Sequence, residues 1–390
     1  MFPTRLPAEA LDRIQDRVRD ALADERLDAV LTDSPEDVAY LTGFFHHPSE
    51  RPVAVWLDAD GRTVLLVPEL ERENAERQSA RAEIVSFPEF PGVVPPFRPL
   101  ADRVGHAGRV GFSIGMTWER QTAAFAELDA AEAVATPLVT TARYVKLPEE
   151  IALHAEAARI TDLMLEAGVA LIRESVAASG QLPSEAELAS HVGRTGGATM
   201  YAEHDDVVVV SPLAGGLVYA GANSAYPHGL PSGYRLRAGD TFMLSLGCAV
   251  GGRFVEGERT FVLGTPTADQ RRYHDTVRLA QATGSAAIRP GRECREANAD
   301  CLDVIRDAGL GQYLRHRQGH GIGLGMHEPP WLEDGDPTLL EAGMIVSNEP
   351  GIYIPGHAGY RISDSMLVTG EGSRPLTSFP RDLDHCTIDL

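Results

Sequence analysis

Residues 319–330 read Gly-His-Gly-Ile-Gly-Leu-Gly-Met-His-Glu-Pro-Pro, with His320 and His327 seven positions apart among small residues. Glycine lets backbone pass close to a bound molecule, and imidazole can donate, accept or ligate near neutral pH. Downstream, Ser347-Asn348-Glu349-Pro350-Gly351 sets a carboxylate between an apolar run and a Pro-Gly turn, which predicts a strand ending near Glu349. A third group is Glu256-Gly257-Glu258-Arg259-Thr260-Phe261. Residues two apart in a strand share a face, about 7 Å apart, so Glu256, Glu258 and Thr260 point one way. Two carboxylates on one face need a cation, a metal or a proton between them, unless water covers the face. The flanking apolar strands favour a covered face. His228, in Tyr226-Pro227-His228-Gly229, has room around its ring, and histidine is the commonest general base at neutral pH. His46, His47, His204, His316 and His357 read as structural. Arg361 and Asp364 read as a structural pair, with Arg361 also able to reach a substrate carboxylate.

The elements that must hold these groups follow from periodicity. A helix is expected over 7–26, with Leu11, Ile14, Val18 and Leu22 on one face. Strands are expected at Leu27–Thr32, Ala82–Phe87 and Arg109–Phe112. Val53–Leu57 and Thr63–Val67 flank Asp58-Ala59-Asp60-Gly61-Arg62, a hairpin signal. With the 116–128 segment they make an α/β domain. Pro148, with Glu149 and Glu150 behind it, suits a helix start, because carboxylates favour the positive helix end. That helix should bury Leu153, Ala157, Ile160, Met164, Ala167 and Leu171. Beyond it, strands at 206–210, 241–247, 253–263, 344–347 and 365–368 mix with helices at 267–288 and 293–308. That mixture is α+β. The division is 1–146 and 147–390.

At 390 residues the chain is too long for one ordinary core, so two domains are expected. A formal net charge of −21 disfavours nucleic acid and anionic membrane surfaces. Cys248, Cys294, Cys301 and Cys386 form no CxxC pair and read as reduced thiols. The N-terminus has no signal-like apolar core, and no apolar run reaches membrane-spanning length, so a cytoplasmic protein is expected.

The runs at 319–330 and 347–353, with the Arg-x-x-Lys-x-x-Glu-Glu-Ile segment at 143–151, resemble the pita-bread family of methionine and Xaa-Pro aminopeptidases, prolidases and creatinase. The resemblance implies an N-terminal creatinase-like α/β domain followed by a C-terminal pita-bread catalytic domain. It also implies metal-ligand positions, occupied in the family by Asp, Asp, His, Glu and Glu. Here they read Ser245, Glu256, His320, Glu349 and Ser363. Serine is a poor substitute for carboxylate toward hard divalent ions. A two-metal centre and any other cofactor are therefore not expected, with one ion on Glu256, His320 and Glu349 as the alternative.

The creatinase branch works without metal, and its Leu-Ser-Leu segment is matched by Leu244-Ser245-Leu246. Its histidine thirty residues before a glutamate is matched by His228 and Glu258. Carried over, His228 moves protons, Glu258 and Glu349 hold a cationic carbon centre, and His320 and His327 donate hydrogen bonds. Glu256 positions water. Arg51, at family spacing after Thr42-Gly43-Phe44, would bind a substrate carboxylate across a homodimer with shared sites. The family's second carboxylate-binding arginine aligns near Trp331. The implied function is metal-independent hydrolysis of a C–N bond in a small, cationic or amidine-like substrate. The alternatives are an Xaa-Pro dipeptidase or aminopeptidase with an atypical single-metal site, and a non-catalytic pita-bread binding protein.

Overall fold

The structure, a computed structural model, describes residues 1–208 and 214–390. They divide into two compact units, one of residues 5–143, the other of residues 1–4, 144–207 and 214–390, with Val208 assigned to the first. The N-terminal unit is built on β1 (Ala29–Thr32), β2 (Ala54–Asp58), β3 (Thr63–Pro68), β4 (Glu83–Phe87), β5 (Ala107–Ser113) and β6 (Ala130–Thr136), in the order β4-β3-β2-β1-β5-β6. The β2–β3 hairpin turns where expected. Gly61 takes φ +101°, and the Asp58 carboxylate accepts from the Arg62 N–H at 2.8 Å. One face carries a core of Trp56, Leu66, Val110 and Phe112.

The helix Pro35–Thr42 is not among the elements expected from periodicity. Its signals are present: Ser34 caps the Asp37 N–H at 3.1 Å, proline opens the first turn, and Gly43 closes the helix at φ +72°.

The C-terminal unit holds a larger sheet. Its strands are β7 (Ala214–Ala220), β8 (Thr241–Val250), β9 (Arg253–Leu263), β10 (Gly319–Gly321), β11 (Glu328–Leu332) and β12 (Ile345–Asn348), with β13 (Gly351–Ile354) and β14 (Ala358–Arg361) as a separate pair. β15 (Ser363–Val368) completes the main path, β11-β10-β12-β15-β9-β8-β7. The register sets Ser245 of β8 against Glu258 of β9, and Glu258 against Ser363 of β15. One row of three strands thus carries two serines and a glutamate. β9 is buried along its whole length, so water does not cover its acidic face.

The helix Pro148–Ala177 packs on β8 and β9. Its Glu150 carboxylate accepts from the Leu147 N–H at 3.0 Å and pairs with buried Arg253 at 3.0 Å, which fixes the helix start to β9. Leu153, Ala157, Ile160 and Met164 are buried as expected, but Leu165, Gly168 and Ile172 take over from Ala167 and Leu171. A seven-residue repeat drifts about 20° per heptad on a straight helix, so the buried stripe moves round. A second helix, Glu185–Glu203, packs on β7. It opens on a capping box, Ser184 with Glu187, a signal carried by the sequence but not by its periodicity. The strand expected over 206–210 is absent at 206–208, and 209–210 lie outside the described residues. All four cysteines are buried free thiols. No described helix is long and apolar enough to cross a membrane.

Candidate active site

The C-terminal unit encloses a cavity of about 630 Å³ whose wall includes His228, Glu256, Glu258, His320, His327, Glu349 and Arg361. Seven residues singled out in the sequence thus meet. β9 sends Glu256 and Glu258 to it, β10 sends His320, and Glu349 follows the last residue of β12. His228 sits in the exposed turn after the short helical turn Gly221–Ala225.

The β10 glycines face a different neighbour from the one expected. A side chain on Gly319 would strike the Ser347 carbonyl, and one on Gly321 would lie 2.5 Å from the Pro329 carbonyl oxygen. One on Gly323 would collide with the Glu328 carboxylate, which pairs with buried Lys146 at 3.2 Å. These glycines let protein backbone and an internal ion pair close up behind the site.

Glu258 and Arg361 are buried and bound to each other. Arg361 Nη2 donates to Glu258 Oε1 at 2.7 Å, and its Nε contacts the other carboxylate oxygen. Ser245 Oγ also donates to Glu258. Arg361 has further donations to Tyr219 Oη at 2.8 Å, Ser245 Oγ at 3.0 Å and Tyr353 Oη at 3.1 Å. The Tyr219 hydroxyl in turn donates to the Pro227 carbonyl at 3.1 Å, beside His228. Burial raises the Glu258 pKa and the Arg361 guanidinium opposes it. Burial likewise opposes the Arg361 charge, but Glu258, Tyr353, Tyr219 and Glu349 together outweigh it and hold the guanidinium well above its ordinary pKa.

The expected pairing of Arg361 with Asp364 does not form. Asp364 instead takes Arg259 at 2.8 Å and Arg381 at 2.5 Å. Residues three apart along extended chain point to opposite faces of a sheet, which separates them. Glu258 is also not free for a substrate cation, since its carboxylate already holds a guanidinium.

The second cluster is His320 with Glu256 and Glu349. His320 Nδ1 lies 3.0 Å from the Gly321 carbonyl, which assigns the proton there and leaves Nε2 facing the cavity. Nε2 is buried, 3.4 Å from Glu349 and 3.9 Å from Glu256, and makes no hydrogen bond of good geometry. Burial disfavours its charge, but the Glu349 and Glu256 carboxylates prevail and lift the pKa to about 9. Burial and the nearby Glu349 charge raise Glu256. Glu349 is half-buried, which disfavours its charge, but His320, His316 and Arg361 hold it below the usual carboxylate range.

The two serines do not complete a two-metal centre. Ser245 Oγ is spent on Glu258, and Ser363 Oγ donates to Glu256 at 3.0 Å. A single ion fits better. Glu256, His320 and His327 place ligand atoms within 4.8 Å of one another, and His320 Nε2, which makes no hydrogen bond of good geometry, could ligate by exchanging its proton for the ion. His327 takes the place in this set that the family resemblance gives to Glu349.

Two expected residues fall elsewhere. Trp331 does not line the cavity. It lies on edge strand β11, its ring 6.5 Å from that of His320 and 4.1 Å beneath the Arg317 guanidinium. Arg51 belongs to the N-terminal unit, where it pairs with Glu50 at 2.9 Å and with Glu89. Conversely, His316, Arg317 and Glu333 line the cavity and were not foreseen as site residues. His316 Nε2 lies 2.8 Å from Tyr353 Oη, so it continues the Arg361 network. Tyr353 stands in the Glu-Pro-Gly-Ile-Tyr run, and His316-Arg317 lies just before His320. No local pattern marks Glu333.

Residues 152–370 match metallopeptidase family M24, and residues 14–145 match the creatinase/prolidase N-terminal domain. An Xaa-Pro dipeptidase of Bacillus anthracis is 29% identical with a TM-score of 0.82, over 97% of this chain and 100% of that one. Dipeptidase PepE of Mycobacterium ulcerans is 26% identical with a TM-score of 0.85, over 99% and 100%. An uncharacterized peptidase of Staphylococcus aureus (strain bovine RF122 / ET3-1) is 28% identical over 94% of this chain and 99% of its own length.

Proposed function

Because the chain belongs to metallopeptidase family M24, with a creatinase/prolidase N-terminal domain ahead of the catalytic one, we propose that it hydrolyses the C–N bond of a short peptide, with Xaa-Pro dipeptides the first class to try. The observation that carries this reading is the Glu256–His320–His327 group in the cavity, beside Glu349. One divalent ion held there would act as a Lewis acid toward the scissile carbonyl. Glu349, ionised and half-buried, lies 3.4 Å from His320 and helps to hold its ring. As a ligand Glu256 would be ionised, so the proton returned to the leaving nitrogen would come from the attacking water through Glu349, which lies outside the ligand set. The Arg361–Glu258 pair stiffens the floor and, through Tyr219, the turn that carries His228.

A second reading is favoured by the same pair. Arg361 is a fixed buried cation at the rung where Ser245 replaces the first ligand of the family, and His228 lines the same cavity. These features support metal-free, creatinase-like C–N hydrolysis with His228 as proton shuttle. The shared-site homodimer and a cytoplasmic location stay part of both readings as proposals. Purified full-length protein, with and without chelator, should be assayed on Xaa-Pro dipeptides and on guanidino acids such as creatine, alongside elemental analysis. Cleavage of an Xaa-Pro dipeptide that is lost with chelator supports the first reading. Chelator-resistant turnover of guanidino acids alone moves the assignment to the second. Folded protein that turns over neither class refutes both.

A further inference from the structure

Residues 220–232 leave the end of β7, pass through the short helical turn Gly221–Ala225 and bring His228 to the cavity. Among the described residues, His228 alone of this arm lines the wall. Tyr226 and Leu230 on either side of it are exposed, so their burial does not hold the arm in place. The hold is at the base. Glu185, the first residue of the helix Glu185–Glu203, is fully buried, and no lysine, arginine or histidine pairs with it among the described residues. Its carboxylate gathers both ends of the arm instead. Oε1 accepts from the Ala220 N–H at 2.7 Å and from Asn223 Nδ2 at 3.0 Å. Oε2 accepts from Asn223 Nδ2 at 2.9 Å, from the Ser232 N–H at 2.8 Å and from the Ser232 hydroxyl at 2.6 Å. The positive end of the helix favours the charge. The tip is tied separately, through the bond from Tyr219 to the Pro227 carbonyl.

The plainest account is a loop closed by a convenient acceptor. A buried carboxylate without a cation is an unfavourable way to close a loop, because its charge must be taken out of water. It is used where every neighbour is a donor, since an ionised carboxyl accepts on both oxygens and donates on neither. An amide in its place would set its NH2 against an N–H at one end of the arm. A loop whose two ends share one acceptor cannot slide or swing at its base, so its tip keeps one position. We propose that Glu185 is a positioning residue that sets the reach of His228 into the cavity. The consequence for turnover rests on the hydrolase reading, whereas the clamp itself does not. In the metal-free reading the clamp aligns the proton shuttle; in the metal reading it fixes a hydrogen-bonding imidazole on the wall. A small misplacement of a catalytic group costs rate even when its cause lies far from the reacting atoms.

The first readout does not depend on turnover. Full-length protein carrying carbon-13 in its histidine rings is followed by NMR, with the His228 signal assigned by its loss in H228A. E185Q should shift or broaden that signal and leave the signal of exposed His385 in place. S232A and N223A each remove part of the donor set and should move it less. The second readout is kinetic, on whichever substrate class is turned over. E185Q should lower kcat by no larger a factor than H228A does, keep KM within about twofold, and add nothing in the H228A background. An unmoved His228 signal in E185Q overturns the proposal. So does a loss of turnover in E185Q that is as large in the H228A background as in wild type, because a purely structural role would give that result. Should E185Q not fold, S232A and N223A carry the same two readouts. If the His228 signal moves as expected while neither peptide nor guanidino acid is turned over, the hydrolase reading fails and the clamp stands.

Discussion

Replacing Arg361 by methionine removes one side of a buried ion pair and leaves the other side in place. Glu258 would keep only the Ser245 hydroxyl, and the Tyr219 and Tyr353 hydroxyls would each lose a donor. Breaking a buried pair from one side costs about 3–5 kcal/mol. That is a large part of the roughly 5–15 kcal/mol that holds a domain folded. Glu258→Gln is gentler. The amide carbonyl can still accept from Arg361 and Ser245, and burial already pushes Glu258 toward its neutral form. Its expected cost is about 1–3 kcal/mol, that of a weakened buried hydrogen bond. In the E258Q background, R361M should cost less than in wild type, and the two changes should depart from additivity by about 2 kcal/mol. Urea unfolding followed by fluorescence in a W56F/W118F background reads the catalytic unit through Trp331, because the two tryptophans removed lie in the N-terminal unit. Equal costs of R361M in both backgrounds would refute the pairing. The cycle also bears on ligand recognition: affinity for a cationic ligand should survive E258Q, since that carboxylate is already occupied.

Elemental analysis of protein dialysed against divalent ions should find no more than one equivalent per chain. Two tightly held equivalents would show that Ser245 and Ser363 can ligate after all. Among single-site variants assayed on whichever substrate is turned over, H320A and E256Q should lower turnover by about 10²–10⁴-fold, with H228A mild. The reverse ranking would point to the metal-free reading. Burial raises the Asp33 pKa to about 6 from its ordinary 3.8, against the pull of Arg120 at 3.6 Å. The folded state then binds the Asp33 proton more tightly than the unfolded state, so stability falls as pH rises from about 4 to about 6. D33N should therefore stabilise the N-terminal unit by about 2–3 kcal/mol at pH 7 and not at all at pH 3. A gain at pH 3 equal to that at pH 7 would count against a charge effect.

Much of this site is legible in the sequence because strand periodicity is simple. Glu256 and Glu258 share a face in any strand, and the segment reads as a strand from alternation alone. The pairing of Glu258 with Arg361 is not legible, because it depends on the register between β9 and β15 and on the approach of β14. The Arg361–Asp364 error has the same origin: proximity in sequence stands in for geometry across strands. Trp331 is placed by alignment to a family arginine, and alignment carries no information about which face of an edge strand turns to the cavity. Five of the six N-terminal strands announce themselves by their apolar runs, whereas β6, small and half-exposed, does not, and the helix Pro35–Thr42 escapes because eight residues give too few turns for periodicity to show. Its caps are the signal that would reveal it.

Ser245, Glu258 and Ser363 sit on one rung of three neighbouring strands. Side chains on a rung reach into nearly the same space from different backbones. A functional group can therefore migrate sideways along the rung, lost from one strand and regained on the next, with no loop rebuilt and no strand re-registered. The address of a charge in such a sheet is the rung and not the residue number, so a search for chemistry that follows single columns of a motif will record a deletion where the scaffold has made a transfer.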